Sequence, residues 1–401
     1  MSAPTVPSTP AVPSLVYDAT QDDLRSTLRR LLDSKSTSKH LLALAAEERG
    51  YDCALWTAVA RDMGLAGLLV PENYGGAGAS VREVAVVMEE LGRALAPIPY
   101  LASAVLATSV LTSSLFDSDD SPDRVNPSNI AGEALGRLAD GEIGALVVPA
   151  TTGPTTEARS AAFGLRGRRI DGADRITLDG TVTGVYGADC AALFVVPAVV
   201  DGVETIALVE ESVAGLSVSA PVSLDVTRPV FDVHFDGVEA DVLISGPSAA
   251  TALDTALDTG AAMLASEQVG VGDWALESAR NYLTIRHQFG RPLGSYQSLR
   301  HRAAQLWIDN QQARAAAQYA AATLTENSSD TGVAVSMAKA YCAATALTAV
   351  EECFQMHGGI GFTWEHPVHF YLARAFTSTV VLGSAEDHHN AIGALVDLPA
   401  S

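Results

Sequence analysis

The chain is short of positive charge, and of lysine above all. Three lysines accompany 22 arginines in 401 residues, and 47 acidic residues leave a formal net charge of −22. A surface of that sign repels phosphodiester backbones and anionic lipid, which argues against nucleic acid and membrane as partners. A phosphate-bearing cofactor stays open, because such a site needs only a few local arginines and backbone donors. Long apolar runs are missing too: none reaches the ~18 residues of a membrane span. The opening MSAPTVPSTPAVPSL has no basic start and is rich in Pro, Ser and Thr. It reads as a flexible tail over residues 1–16 and not as a secretion signal, so a cytoplasmic protein is expected. Cysteine is scarce. Cys53, Cys190, Cys342 and Cys353 lack metal-ligand spacing, so reduced core thiols are expected and a metal is not indicated.

What is present is a composition with 48% hydrophobic and 18% charged residues, enough to bury a large core in two or three domains. Three regions differ in pattern. Residues 17–140 read as helical: DLRSTLRRLLD places Leu24, Leu28, Leu31 and Leu32 at helical spacing, and CALWTAVARDMGLAGLLV and VREVAVVMEELGRALA flank the compact loop PENYGGAGAS. The stretch FDSDDSPDRVNPSN is a polar loop. Between 141 and 248, short Val- and Thr-rich runs (GALVVPA, ITLDGTVTGV, AALFVVPAVV, ETIALVEE, PVFDVHF) alternate with Gly, Asp and Pro turns. That pattern predicts an antiparallel β domain. From 249 to 401 long helices return, the first with Leu253, Leu257, Ala261, Leu264, Ala265, Gln268 and Gly272 on or near one face.

Chemistry concentrates in two C-terminal segments, RHQFGRPLGSYQSLRHR at 286–302 and QMHGGIGFTWEH at 355–366. Each joins a helix to a loop and sets an Arg or Gln beside glycines whose N–H groups are unobstructed. A cationic fork and open amides are what a pyrophosphate requires. The residues alone leave a second reading equally open, in which Gly290, Gly358, Gly359 and Gly361 simply end helices. His388 and His389 have no companion ligands and read as a surface pair near a helix start. Trp307 and Trp364 read as core or interface packing.

These segments resemble the acyl-CoA dehydrogenase family. RHQFGRPLGSYQ is similar to its R-x-x-F-G-x6-Q pattern, and QMHGGIGF to its Q-x-x-G-G-x-G-[FY] segment. LLVPENYGGAGAS, GADCAALFVVPA and SLDVTRP are similar to further family segments, so the likeness covers roughly residues 20–396. It implies an α+β fold of N-terminal helical domain, middle β-barrel and C-terminal four-helix domain. It also implies FAD shared across a subunit interface, with Arg286, Gln288, Phe289, Gln297, Gln355, Met356, His357, Gly358 and Gly359 reaching the ADP half of a neighbour's flavin.

The same resemblance exposes departures. The family's Thr-Glu-Pro-x-x-Gly-Ser-Asp loop, which lines the flavin ring, is here ALVVPATTGPTTEA, where only Thr151, Thr152 and Gly153 offer partial substitutes. The base that removes the substrate α-proton must be a desolvated carboxylate. The family's two positions for it fall on Leu382 and Gly260, and neither residue takes a proton. Glu386, Glu267 and Asp258 are the remaining carboxylates nearby. Kept ADP contacts and a lost base resemble the non-catalytic subunit of actinobacterial α2β2 enzymes that oxidise steroid-side-chain CoA esters. The implied partners are a second acyl-CoA dehydrogenase-like subunit carrying the catalytic Glu, an acyl-CoA substrate and an electron-transferring flavoprotein. A homotetramer with a relocated base, a pseudoenzyme without flavin and an oxidase or monooxygenase relative are the alternatives.

Overall fold

The computed structural model describes residues 15–46, 51–115, 127–170 and 175–398. Most of the expected tail and the acidic centre of FDSDDSPDRVNPSN lie outside them. The N-terminal helices are α1 (Ala19–Lys35), α2 (Ser38–Ala46), α3 (Cys53–Thr57), α4 (Val81–Ala94), α5 (Thr108–Ser114) and α6 (Pro127–Ala139), with π-helical turns at Ala58–Asp62 and Leu101–Ala107. Ser80 and Glu83 start α4 with a reciprocal cap, satisfying two end donors at once.

A β domain follows, with α7 (Thr156–Ala161) inserted between its first two strands. The strands are β1 (Gly144–Leu146), β2 (Leu165–Arg169), β3 (Arg175–Tyr186), β4 (Leu193–Val200), β5 (Val203–Glu210), β6 (Leu216–Ser219) and β7 (Val230–Ser245). Pairing runs β4–β2–β3–β7–β5 and returns to β4, so the sheet closes on itself. Inside lie Phe194, Val196, Phe231, Phe235 and Val238. The expectation of a purely antiparallel domain needs correction. β1 and β2 lie end to end along one edge of β4, both parallel to it, because α7 and its loops provide the crossover that parallel neighbours require.

The C-terminal helices are α8 (Pro247–Ile285), α9 (Gln297–Thr325), α10 (Thr331–His357), α11 (Val368–Ser378) and α12 (Ala385–Leu395), with a two-stranded hairpin, β8 (His287–Gln288) and β9 (Arg291–Pro292), between α8 and α9. At 1.5 Å per residue, α8 is about 58 Å long and threads the whole molecule. Its crossing with α4 depends on two glycines: a Cβ on Gly270 would lie 1.9 Å from Glu89 O, and one on Gly92 2.1 Å from Glu267 O. The apolar helix within Thr331–Phe362 is long enough to span a membrane, yet 67% of its apolar window is buried; α10 is the bundle's core helix.

Candidate functional site

Three helix ends meet at one end of the bundle. Arg286 follows the last turn of α8, where its N–H donates to Tyr282 O at 2.9 Å. Phe289 and Gly290 form the hairpin tip with φ of 53° and 80°; two successive positive φ values are the mark of a type I′ turn. Phe289 is 90% exposed there. Tyr296 donates its hydroxyl to Gln288 O at 3.3 Å and stacks under the Arg291 guanidinium at 3.8 Å, which stiffens the hairpin. Gln297 opens α9 without a side-chain cap, leaving first-turn N–H groups outward. Arg302 on α9 pairs with Glu352 on α10 at 2.5 Å, fixing α9 to the helix that ends in Gln355–His357. Gly358 (φ 57°) and Gly359 are exposed, and a Cβ on either would meet nothing within 4 Å. The Arg286 guanidinium has no partner among the described residues. The surface therefore presents a free arginine, the exposed side chains of Gln288, Gln297 and Gln355, an uncapped helix start and an open Gly-Gly backbone, a set suited to a diphosphate. Met356 and His357 differ from the rest: both side chains are buried, so outward groups at these positions are backbone only.

The other sequence-selected positions meet some distance along α8. Leu382 and Gly260, read from segments far apart in the chain, are neighbours. A Cβ on Gly260 would lie 3.0 Å from Leu382 Cδ1 and 2.5 Å from Leu106 Cδ2. Leu382 is 3% exposed, with a left-handed φ of 54°. Its N–H donates to Ala150 O at 2.7 Å, and its carbonyl accepts from His388 Nε2 at 2.9 Å. Gly153 packs on Gly383, its hypothetical Cβ 3.4 Å from the Gly383 Cα. The Thr152 hydroxyl donates to Pro149 O at 2.7 Å, so it is spent within its own loop. Lys339, fully buried, donates to Ser378 O at 3.1 Å and Gly383 O at 3.2 Å, and burial pushes its pKa down to about 8.

The remaining carboxylates are occupied or distant. Glu267 is buried between Arg228 at 2.8 Å and Arg374 at 3.4 Å, and Arg374 also holds Asp225 at 2.6 Å. This network ties the SLDVTRP loop of the β domain to α8 and α11. Asp258 pairs with Arg159, which also holds Asp254 at 3.1 Å; burial pushes the Asp258 carboxyl upward against the pull of Arg159. Glu386 is exposed in the first turn of α12.

Both terminal parts match family models, "Acyl-CoA dehydrogenase, N-terminal domain" over residues 18–117 and "Acyl-CoA dehydrogenase, C-terminal domain" over 250–396. Acyl-CoA dehydrogenase IpdE2 of Mycolicibacterium smegmatis is 31% identical over 363 residues, covering 90% of this chain and 93% of that protein. The chain belongs to the acyl-CoA dehydrogenase family. IpdE2 of Mycobacterium tuberculosis is 29% identical over 366 residues, 91% of this chain and 93% of that protein. Among solved structures, the ChsE4–ChsE5 complex from Mycobacterium tuberculosis superposes with a TM-score of 0.82 at 26% identity, covering 97% of this chain and 100% of that one. A variant of the Tcur3481–Tcur3483 steroid ACAD superposes at 0.79 with 26% identity, covering 94% of this chain and 98% of that one. FAD is the cofactor of the acyl-CoA dehydrogenase family.

Within this family fold, several sequence readings need correcting. His388 is 1% exposed and only His389 of the pair is at the surface, because the α12 cap formed by Ser384 and Asp387 turns His388 under the 382–383 loop. Burial pushes the His388 pKa down to about 4. Cys53 is exposed and Cys190 half-buried, leaving Cys342 and Cys353 as the core thiols; all four are free. Trp307 and Trp364 are exposed, which removes core packing within this chain as their role. Leu106, Arg159, Arg228 and Arg374 went unnoticed in the sequence. Lone residues in helical or loop segments carry no spacing signal, and only the fold brings them to α8.

Proposed function

We propose that this chain is the non-catalytic subunit of a heteromeric acyl-CoA dehydrogenase. It divides into the domains 17–140, 141–248 and 249–401, and it works in the cytoplasm. Its bundle end clamps the ADP half of an FAD whose ring end belongs to a partner chain. Bound FAD supplies the hydride acceptor for the α,β-dehydrogenation of an acyl-CoA. The residues here fit one half of that cofactor. Arg286 takes the diphosphate as a charged fork, Gln297 and Gln355 add side-chain hydrogen bonds, and the Gly358–Gly359 backbone admits close approach.

The ring end does not fit. The observation that carries the proposal is Leu382 packed on Gly260 and Leu106, so both places where the family keeps its base are apolar and filled. None of the three nearby carboxylates stands as a free, desolvated base: Glu267 is held by two arginines, Asp258 by one, and Glu386 is exposed in the first turn of α12. The partner provides the catalytic Glu, and the solved relatives described as a ChsE4–ChsE5 complex and a steroid ACAD support a paired subunit and a bulky steroid-side-chain CoA ester as substrate. Electrons then pass to an electron-transferring flavoprotein. The isolated, homogeneous chain supplied with FAD and steroid or short acyl-CoA esters is expected to bleach no flavin absorbance. Bleaching by any of them would favour the relocated-base homotetramer and end this reading.

A further inference from the structure

The ADP clamp has two arms of separate origin in the sequence, and one aromatic contact joins them. Tyr282 lies in the last turn of α8, four residues before Arg286, whose N–H donates to Tyr282 O. His357 ends α10, one residue before Gly358. Their rings stack with centroids 4.6 Å apart at 29°. The imidazole is held on its remaining sides as well. Its Nδ1–H donates to Cys353 O at 2.7 Å, its Nε2 accepts from Ser278 Oγ on α8 at 3.5 Å, and the His366 ring lies 4.2 Å away. Buried, it offers no atom to a ligand outside. Edge-on packing of Phe354 and Phe362, 4.4 Å apart, pins the far side of the Gly-Gly turn.

We propose that His357, stacked on Tyr282, is a positioning residue that sets the spacing between Arg286 and the Gly358–Gly359 backbone and thereby the affinity for the ADP half of FAD. The inference rests on the clamp reading above and adds to it a residue that touches no part of the cofactor. A diphosphate has a fixed width, so a fork on one helix and amides on another are useful only at one separation. One turn of α8 and one peptide bond of α10 are all that lie between the stack and the two liganding groups. A slip of the stack therefore reaches both arms undamped. His suits this place because it supplies a flat ring for Tyr282, a donor for Cys353 O and an acceptor for Ser278, with no charge while neutral. Burial lowers its pKa further, which keeps it neutral at physiological pH.

The test uses the flavin-stripped assembly of this chain with its partner, titrated with FAD and separately with ADP. His357→Ala and Tyr282→Leu should each weaken both ligands about tenfold, the size of a lost aromatic pair. Tyr282→Phe preserves the stack and every bond to His357, and should bind both ligands about as tightly as the parent. Because the arms act together, Arg286→Ala should cost less affinity in the His357→Ala background than in the parent. If His357→Ala does not fold, Tyr282→Leu reads the same contact from the α8 side. Parental affinity in His357→Ala or Tyr282→Leu, with Arg286→Ala still impaired, overturns the brace and spares the clamp. Unchanged binding in Arg286→Ala overturns both. Failure of folded Tyr282→Phe to bind like the parent would show that the stack is not what positions the arms.

Discussion

Under the proposed reading, replacing Leu382 by glutamate would restore the family's usual base, and the structure predicts that it will harm the protein instead. Leu382 is 3% exposed, facing Gly260 and Leu106. Glutamate is near leucine in size, so no cavity opens, but the transfer gain of a buried leucine, about 2 kcal/mol, is forfeited. The carboxyl then sits among apolar groups with no cation hydrogen-bonded to it. Desolvation of that kind raises a carboxyl pKa by roughly 2–3 units above its unfolded value near 4.3. A raised folded pKa costs nothing well below 4.3 and its full amount once pH exceeds the folded value. Leu382→Glu is therefore expected to lose about 3 kcal/mol at pH 5 and about 5 kcal/mol at pH 8, a large share of a typical 5–15 kcal/mol. Urea unfolding of parent and variant across that range measures the difference directly. A variant as stable as the parent at pH 8, or one that oxidises acyl-CoA unaided, would refute the claim that this position is closed core.

Arg286→Ala removes charge-assisted bonds worth about 1.5–3 kcal/mol, so FAD should leave the assembly about ten- to a hundredfold more readily while the circular dichroism spectrum and melting temperature of the apoprotein stay put. Glu267→Ala takes from buried Arg228 its carboxylate and from Arg374 one of its two and should cost about 3–5 kcal/mol by chemical denaturation; a silent substitution would mean the network is not structural. His388 donates from Nε2 to Leu382 O and its buried Nδ1 has no partner, so protonation is resisted and its pKa falls to about 4. With the unfolded value near 6.5, stability should decline as pH falls from about 6.5 to 4, by about 3 kcal/mol from this group. His388→Gln should flatten that part of the pH–stability curve.

Much of this was readable before any coordinates. DLRSTLRRLLD falls on α1 and most of VREVAVVMEELGRALA on α4, and the five Val- and Thr-rich runs all overlap strands. Within the β domain the strands that went unseen are β2 and β6, LRGRR and LSVS: the one is arginine-rich and the other exposed along its edge of β7, so neither shows the apolar signal that burial imposes. The family motifs placed Arg286, Gln297 and Gly358–Gly359 at one bundle end. They could not tell that His357, inside the same motif, faces inward to Tyr282, because a helix-end residue's direction depends on the neighbouring helix. Gly260 and Leu382 were singled out separately as vacant base positions. That they touch, with Leu106 filling the remaining space, follows only from how α8 crosses the Leu101–Ala107 turn and the loop before α12.

The central claim is that the chain completes another subunit's flavin site and builds none of its own. Native mass of the assembly, combined with quantified FAD released on denaturation, tests it most directly. On this claim each flavin combines a ring end held by the partner with an ADP half held by this chain through Arg286, Gln297, Gln355 and the Gly358–Gly359 backbone. The account predicts one FAD for every copy of this chain paired with one copy of a second dehydrogenase-like subunit, two in an α2β2 tetramer. Four flavins in such a tetramer, or full occupancy in an assembly made of this chain alone, would contradict it.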